Sequence, residues 1–254
     1  MGIGSKFGVI AETGNNIQTE GLVFYIDPAY KKSYPGTGTN TFNLASGSLT
    51  PTGSLVNNTG FVGLPTSSFT FDGTDDYINC GTLSSFVDNK SQLSIDFWFK
   101  LNDTGENRWA GKFSNTERWI SLGLNSSGLI YFLISNSSVS SGLHYGGFEA
   151  ISSGLVAADT WYYLAFIFDG TQTGNANRCK IYLNADSKTL TFQGNIPPTT
   201  FDFTTVTNPN WKIGGDGYAS NFDGNIATFN LYDRALTAAD VLQNYQAQKG
   251  RFGL

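Results

Sequence analysis

The sequence predicts an all-β protein: an antiparallel β-sandwich with one short helix near its C-terminal end. Three observations predict it. The chain holds 20 Phe, 12 Tyr and 5 Trp in 254 residues, enough to bury a sizeable core. Only 14% of its residues are charged, against roughly 25% in ordinary globular chains. Its 30 glycines, with many Ser, Thr and Asn, punctuate about a dozen short apolar runs at near-even spacing, the pattern of a sandwich or barrel with many turns.

Taken in order, residues 1–20 carry no clear period and form an extended N-terminal arm. Leu22–Ile26 is the first strand, stopped by Asp27-Pro28. Residues 31–66 are rich in Gly, Ser, Thr, Asn and Pro and predict irregular loop with short strands around Leu44 and Leu55. Ser68–Phe71 stops at Asp72-Gly73, and Tyr77–Cys80 stops at Gly81. Leu93–Leu101 alternates with apolar odd positions, while Ser94, Asp96 and Lys100 face the other way. Trp109–Phe113, Trp119–Leu124 and Leu129–Ile134 follow, with loops over 102–108 and 136–148. Thr160–Phe168 is too short and aromatic for a helix and predicts a central strand, with Arg178–Leu183 as its hairpin partner. Trp211–Gly214 and Gly224–Tyr232 complete the sheets around a loop at 215–221. Phe97, Phe99, Trp161, Tyr163, Ala165, Ile167, Ile181 and Leu231 are assigned to the interior.

The helix runs from Thr237 to Lys249. Thr237 and Asp240 form a capping box, Leu236, Val241, Leu242 and Tyr245 form the apolar stripe, and Gly250 is the stop. The organisation is therefore an arm over 1–20, a sandwich with its helix over 21–249, and a tail over 250–254. Ile3, Phe7, Val9 and Ile10 in the arm, and Phe252 and Leu254 in the tail, have no core of their own, so both ends are expected to dock the domain on a larger assembly, the alternative being that both fold back onto their own sandwich.

Composition excludes several functions. Lys+Arg is 15 and Asp+Glu is 20, a net charge of −5, and no basic run offers a nucleic-acid face. No apolar stretch approaches a membrane span, and the first residues lack a signal's apolar stretch. Two cysteines, Cys80 and Cys179, each in a strand-like run, are expected as buried free thiols. The single histidine, His144, leaves little room for His-based metal sites or Ser-His-Asp triads.

The order FDGTDDYINCG, LSIDFWFKL, TWYYLAFIFDG, CKIYLNA and FDGNIATFNLYDRALTAADV resembles the concanavalin A-like lectin/glucanase superfamily, in its laminin-G-like jelly-roll branch. The likeness spans residues 68–245. Two positions depart from the family pattern: Tyr163 stands where His is usual, and Ala185 where Gly is usual. The resemblance implies a jelly-roll sandwich. The chain ends, GLVFYIDPAYKKSYPGTGT and VLQNYQAQKGRFGL, resemble virion proteins of tailed bacteriophages. That likeness implies a non-enzymatic structural protein of the particle: a capsid decoration, neck or fibre component. It would assemble in the host cytoplasm, be oligomeric on the virion, and have capsid or tail proteins as partners. The alternative is a carbohydrate-binding adhesin module that contacts host glycans.

Enzymes of this superfamily place catalytic carboxylates on one strand as E-x-D-x-E, and no such triplet occurs. Leu93–Leu101 offers only Asp96, and Glu106, Glu117 and Glu149 each stand alone. A lyase would need basic residues around a Tyr or His, and His144-Tyr145 has no Arg beside it. No catalytic residue, metal ligand or cofactor is assigned. Structural calcium is considered at Asp72–Asp76 and at Asp216 with Asn221 and Asp223, both of which read first as tight turns. Glycan contact is considered at Trp109, Trp119, Tyr145, Asp216, Tyr218 and Asn221, because sugar recognition needs an exposed aromatic beside hydrogen-bonding groups.

Overall fold

The computed structural model describes residues 16–45, 51–87, 90–114, 117–135, 145–150, 152–194, 210–215 and 221–254. Its strands are β1 (Leu22–Ile26), β2 (Asn40–Phe42), β3 (Pro51–Val56), β4 (Gly60–Val62), β5 (Ser68–Asp72), β6 (Tyr77–Asn79), β7 (Gln92–Leu101), β8 (Asn107–Ser114) and β9 (Glu117–Leu124). They continue with β10 (Ile130–Ser135), β11 (Tyr145–Ala150), β12 (Trp161–Asp169), β13 (Cys179–Leu183), β14 (Asp186–Ser187), β15 (Leu190–Gly194), β16 (Trp211–Ile213) and β17 (Asp223–Tyr232). Single-turn helices α1 (Ser84–Val87) and α2 (Asn175–Arg178) interrupt them, and α3 (Ala238–Gln248) runs into a 3₁₀ turn, Lys249–Phe252.

Among the described residues the strands form two antiparallel sheets. An eight-stranded sheet runs β14-β13-β12-β7-β17-β5-β4, with β1 also on β17. A nine-stranded sheet runs β15-β11-β10-β9-β8-β16-β6-β3-β2. The alternation of β7 places Phe97 and Phe99 between the sheets. The Phe97 ring lies 5.7 Å from Phe229 and 6.3 Å from Phe166 on its own sheet, and 5.8 Å from Trp109 on the other. Phe132 to Phe166 (5.4 Å) and Trp211 to Phe229 (6.3 Å) repeat this contact across the sandwich.

A second core lies outside the eight-stranded sheet. Trp98, Tyr163, Ala165, Ile167, Ala227 and Tyr232 face α3 and its following turn. This corrects the placement of Tyr163, Ala165 and Ile167, which were assigned with Phe97 and Phe99. The register pairs Leu164 with Phe97 and Tyr163 with Trp98, so the inner residues of β12 are Leu164, Phe166 and Phe168. Half-buried Trp161 belongs to the outer cluster as well. Asp96 lies on the other face from Phe97, as expected, but that face is sealed and Asp96 is fully buried.

The helix carries the predicted capping box. The Thr237 hydroxyl accepts from the Asp240 N–H, and the Asp240 carboxylate accepts from the Thr237 N–H. Arg234 donates to Asp240 at 2.8 Å and to the Glu20 carbonyl at 2.8 Å. The stripe differs by one residue: Leu242 is exposed, and Asn244 takes its place in the buried face. The α-helix ends at Gln248 with Lys249 as its cap, directly before Gly250 as expected, but the chain stays helical beyond it. The chain tightens into the 3₁₀ turn, and Gly253 takes the left-handed conformation at φ 76°.

The tail does not project as an anchoring arm. Phe252 stacks on Trp98 at 4.2 Å and lies 4.8 Å from Trp161. Arg251 donates to both oxygens of buried Asp27 at 2.8 and 2.9 Å, and to the carbonyls of Thr66 and Ser67. The physical reason is that Trp98 needs an apolar cover and the tail's only aromatic residue supplies it. Residues 16–20 also lie on the protein: Gln18 is held by Asn244 and Tyr232, and Glu20 by Arg234. Ile3, Phe7, Val9 and Ile10 lie outside the described residues.

Four strands escaped the sequence pattern, the three-residue β4 inside the expected 31–66 loop among them. Gly146 and Gly147 break the apolar alternation of β11, which begins inside the expected 136–148 loop. β14 has only two residues, and β15 is half polar. The short strand expected around Leu44 is β2, which ends at Phe42. The hairpin between β13 and β14 turns on Asn184 (φ 52°) and Ala185 (φ 67°), a two-residue turn with positive φ at both central positions. Asn184 Oδ1 accepts from the Tyr163 N–H at 2.9 Å, tying the turn to β12.

Three stability changes follow. Phe97→Ala should cost roughly 3–5 kcal/mol, the range for a fully buried Phe, measured by denaturant unfolding; a loss below about 1 kcal/mol would contradict the packing of the inner core. Arg251→Ala should cost about 3 kcal/mol by leaving the Asp27 carboxylate buried without its cation, read as a lowered unfolding midpoint. Ala185→Gly should raise stability by about 1 kcal/mol, because an L side chain is disfavoured in the left-handed region; a thermal scan that shows no gain would contradict the turn geometry.

Candidate functional site

The two sheets differ in what covers them. The eight-stranded sheet is sealed by the chain's own helix and tail. The outer face of the nine-stranded sheet presents polar groups, built strand by strand from alternation. On β3, Leu55 points inward and Ser54 outward. On β6, Ile78 is in the core while Tyr77 and Asn79 are half-buried. On β16, Trp211 and Ile213 are core residues and Lys212 lies between them. The register places Asn79 opposite both Ser54 and Lys212. Lys212 Nζ sits 4.2 Å above the Tyr77 ring, a cation–π contact.

Beside this patch is a groove of about 400 Å³ lined by Gly53, Ser54, Asn79, Cys80, Gly81, Leu83 and Asn210. Asn79 Oδ1 accepts from the Gly81 N–H at 3.1 Å, which orients the side-chain amide. Gly81 has φ 67°, and a Cβ there would meet no atom within 4 Å, so the backbone stays open on the groove side.

Further along the same sheet, β8, β9 and β10 build a second polar cluster, and this one is buried: Arg108, Ser121 and Tyr131 are all closed to solvent. Arg108 donates from Nη1 to the Tyr131 hydroxyl at 3.1 Å and to the Ser121 hydroxyl at 3.4 Å, and from Nη2 to Glu106 at 2.9 Å. The Ser121 and Tyr131 hydroxyls are 3.1 Å apart. Gly123 makes this possible. A Cβ there would lie 2.7 Å from the Tyr131 hydroxyl and 2.4 Å from the Asn107 carbonyl oxygen, so only glycine leaves Tyr131 room to reach Arg108. Sequence reasoning missed this cluster. Its signal is a polar residue at the outward position of adjacent strands with a glycine opposite, which needs the register to be seen.

At one end of the sandwich the polar groups pass onto the rim. Asp223 N–H donates to Asn107 Oδ1 at 2.8 Å, and Asn102 Nδ2 donates to Asp223 Oδ1 at 2.6 Å. Asn221 donates to the Thr74 carbonyl. This joins the 102–107, 221–223 and 72–76 segments, two of which were expected as separate candidate sites. Asp72, Asp75 and Asp76 bring one carboxylate oxygen each within 4.8 Å of one another. Asp72 Oδ1 accepts from Thr74 N–H at 2.8 Å, the Asx turn expected of an Asp-Gly stop. Asp76 accepts from Asn58 N–H at 2.9 Å. Burial, and then the neighbouring carboxylates, raise the Asp76 carboxyl against the pull of its backbone hydrogen bonds.

The candidate glycan contacts scatter. Trp109 is fully buried between Phe97 and Phe99 and has no face open to a sugar. Trp119 falls in β9 and Tyr145 at the start of β11, and their side chains lie outside the described set. Asp216 and Tyr218 lie outside the described residues. Asn221 is at the rim, bound to the Asp72 loop. Asp96, the acidic residue weighed for hydrolysis, is sealed beneath α3. Cys80 and Cys179 are free, buried thiols, and burial pushes both upward.

A sandwich of two antiparallel sheets with this strand order, one outer face self-covered and the other polar, defines a class. Residues 72–242 match the Laminin_G_3 family model of the concanavalin A-like lectin/glucanases superfamily, and the chain belongs to that superfamily. No curated protein matches the sequence. Among solved structures the chain is similar to the botulinum neurotoxin serotype D ligand binding domain in complex with N-acetylneuraminic acid (TM-score 0.64, 14% identity, 91% of this chain and 52% of that one). It is also similar to domain 4 of AbnA, a GH43 extracellular arabinanase from Geobacillus stearothermophilus, in complex with arabinotriose (TM-score 0.58, 16% identity, 89% and 98%). Trypanosoma rangeli sialidase in complex with the inhibitor DANA gives a TM-score of 0.60 at 12% identity, with 92% and 34% covered. These are likenesses of fold, and the chain spans about half the length of the toxin domains it matches.

Proposed function

We propose that this chain is a non-catalytic carbohydrate-binding module that takes its glycan along the outer face of the nine-stranded sheet. The observation that carries the proposal is the open groove of about 400 Å³ beside Ser54, Asn79 and Asn210. It has the size of a small-ligand site, and its amides and hydroxyl suit sugar hydroxyls, which both donate and accept. Two of the similar structures were determined with saccharides bound, N-acetylneuraminic acid and arabinotriose. The AbnA domain, matched over 98% of its length, is itself a separate module of a larger protein.

Binding without catalysis is supported by the carboxylates. Glu117 and Glu149 are each the sole acidic residue of their strand, and no strand of the nine-stranded sheet carries two. A pair with the spacing of a retaining glycosidase on one strand is therefore missing. The likeness of the chain ends to tailed-phage virion proteins supports a place on a phage particle. There a module of this kind would meet host-surface glycans, with capsid or tail proteins as neighbours.

The test is a glycan array with sialylated and arabinan-type ligands, followed by calorimetry on the best binder. Asn79→Ala should weaken that binding by about tenfold or more, the loss of one or two hydrogen bonds, while stability falls by no more than the roughly 1 kcal/mol of its own bond to the Gly81 N–H. Reducing-end release from the same glycans should stay at background. No binding to any glycan, or binding unchanged in Asn79→Ala and Ser54→Ala, would overturn the proposal.

A further inference from the structure

Asp96 is the one carboxylate on the covered outer face of β7, where Ser94, Trp98 and Lys100 are its neighbours along the strand. It is fully buried in the middle of β7, beneath α3. One oxygen accepts from Asn230 Nδ2 at 2.6 Å and the other from Asn244 Nδ2 at 2.7 Å. Asn244, on α3, also donates to the Tyr232 hydroxyl at 3.0 Å, and its Oδ1 accepts from the Gln18 N–H at 2.7 Å. The Tyr232 hydroxyl donates to the Gln18 carbonyl at 3.2 Å. This one carboxylate thus joins the sheet, the helix and the segment that precedes β1.

The groups that face Asp96 are all neutral: Tyr163 from β12, Asn230 and Tyr232 from β17, and Asn244 from α3. Burial raises both phenols, and the Asp96 charge raises them further. Asp240, the acidic residue in the first turn of α3, is paired with Arg234, which precedes the helix, at 2.8 Å. No Lys or Arg among the described residues forms an ion pair with Asp96. A buried anion without a cation is costly; the amides of Asn230 and Asn244 and the adjacent Tyr163 hydroxyl each favour the charged carboxylate but offset only part of that cost. Burial pushes the carboxyl up to about 6.

We propose that α3, with the 3₁₀ turn that carries Phe252, is a proton-operated latch over the outer face of the eight-stranded sheet, closed while Asp96 is neutral and loosened when it ionises. Closed, Asp96 keeps its proton to about pH 6; opened to water, it returns to the ordinary carboxylate range. The closed state therefore binds the proton more tightly. Its advantage is complete in acid and is lost as pH rises through about 6. Two pKa units correspond to about a 100-fold rise in the opening equilibrium between about pH 4 and pH 7. Opening would free Phe252 from Trp98 and Trp161. The Arg234–Asp240 pair acts in the opposite sense: burial alone would raise Asp240, but the hydrogen bonds from Arg234 and Thr237 hold it low. It therefore weakens the helix only in stronger acid, and a window from about pH 5 upward isolates Asp96.

The experiment is hydrogen–deuterium exchange on the full chain between about pH 5 and pH 7.5, corrected for the intrinsic exchange rate. Amides 241–248 should lose protection by up to about tenfold per unit until about pH 6 and then level off. Amides 120–134 of the nine-stranded sheet should not follow. Asp96→Asn should keep the helix protected throughout. Protection of α3 that is flat with pH, a pH slope that persists in Asp96→Asn, or an equal loss in both sheets would overturn the latch. If Asp96→Asn does not fold, a carboxyl NMR titration of the wild-type chain decides: a midpoint near 6 supports the latch, and one below about 5 overturns it.

Discussion

Strand β7 is buried on both of its faces, and most of the remaining architecture answers to that constraint. Phe97 and Phe99 fill the space between the sheets, where the aromatic residues of the facing sheet meet them. The residues between them point the other way, and Trp98 is as deeply buried as Phe97. A strand with Trp on its outer face cannot leave that face to water without losing the stabilisation of a large apolar side chain. Tyr245 and Phe252 stack on Trp98, so the helix and tail complete the core rather than decorate it. The Asp27–Arg251 pair and the Gln18–Asn244 contact then hold that cover at its two edges.

Covering one sheet distinguishes it from the other, which the helix and tail leave uncovered. Among the described residues, the nine-stranded sheet has its large side chains turned inward and hydroxyls, amides and cations turned outward. The glycines on this face have local reasons. Gly123 makes room for the Tyr131 hydroxyl beside Arg108, and Gly81 keeps the groove wall bare. The Arg108 cluster is an internal one, with Arg108, Ser121 and Tyr131 all buried, and beyond it three loop segments are tied at the rim by Asn107, Asn221 and Asp223.

Much of the fold was legible in the sequence because its signals are local. β1 lies where its apolar run ends at Asp27-Pro28, and the Thr237–Asp240 capping box marks the start of α3 to the residue. Face assignment on β12 was not legible. TWYYLAFIF is apolar at nearly every position, and period two vanishes when both faces of a strand are covered. The misplacement of Tyr163, Ala165 and Ile167 follows from that alone. β11 escaped for the opposite reason, because its glycines contribute no pattern. The candidate site was least legible. Trp109 and Asp96 suggested chemistry by residue type, and only packing shows that both are interior. Arg108, Ser121 and Tyr131 lie 10 to 23 residues apart in sequence and meet through strand register.

The packing of residues 16–20 and of the C-terminal tail against one sheet gives the sandwich a front and a back. Residues 16–20 and the tail both lie on the side of the eight-stranded sheet, clasped through Asn244, Arg234 and Asp27. The nine-stranded sheet therefore faces away from residues 16–20 and from the tail. Many copies arrayed on one support would all show the same face to an approaching surface, so weak single contacts could add up through valency without any change in the module itself.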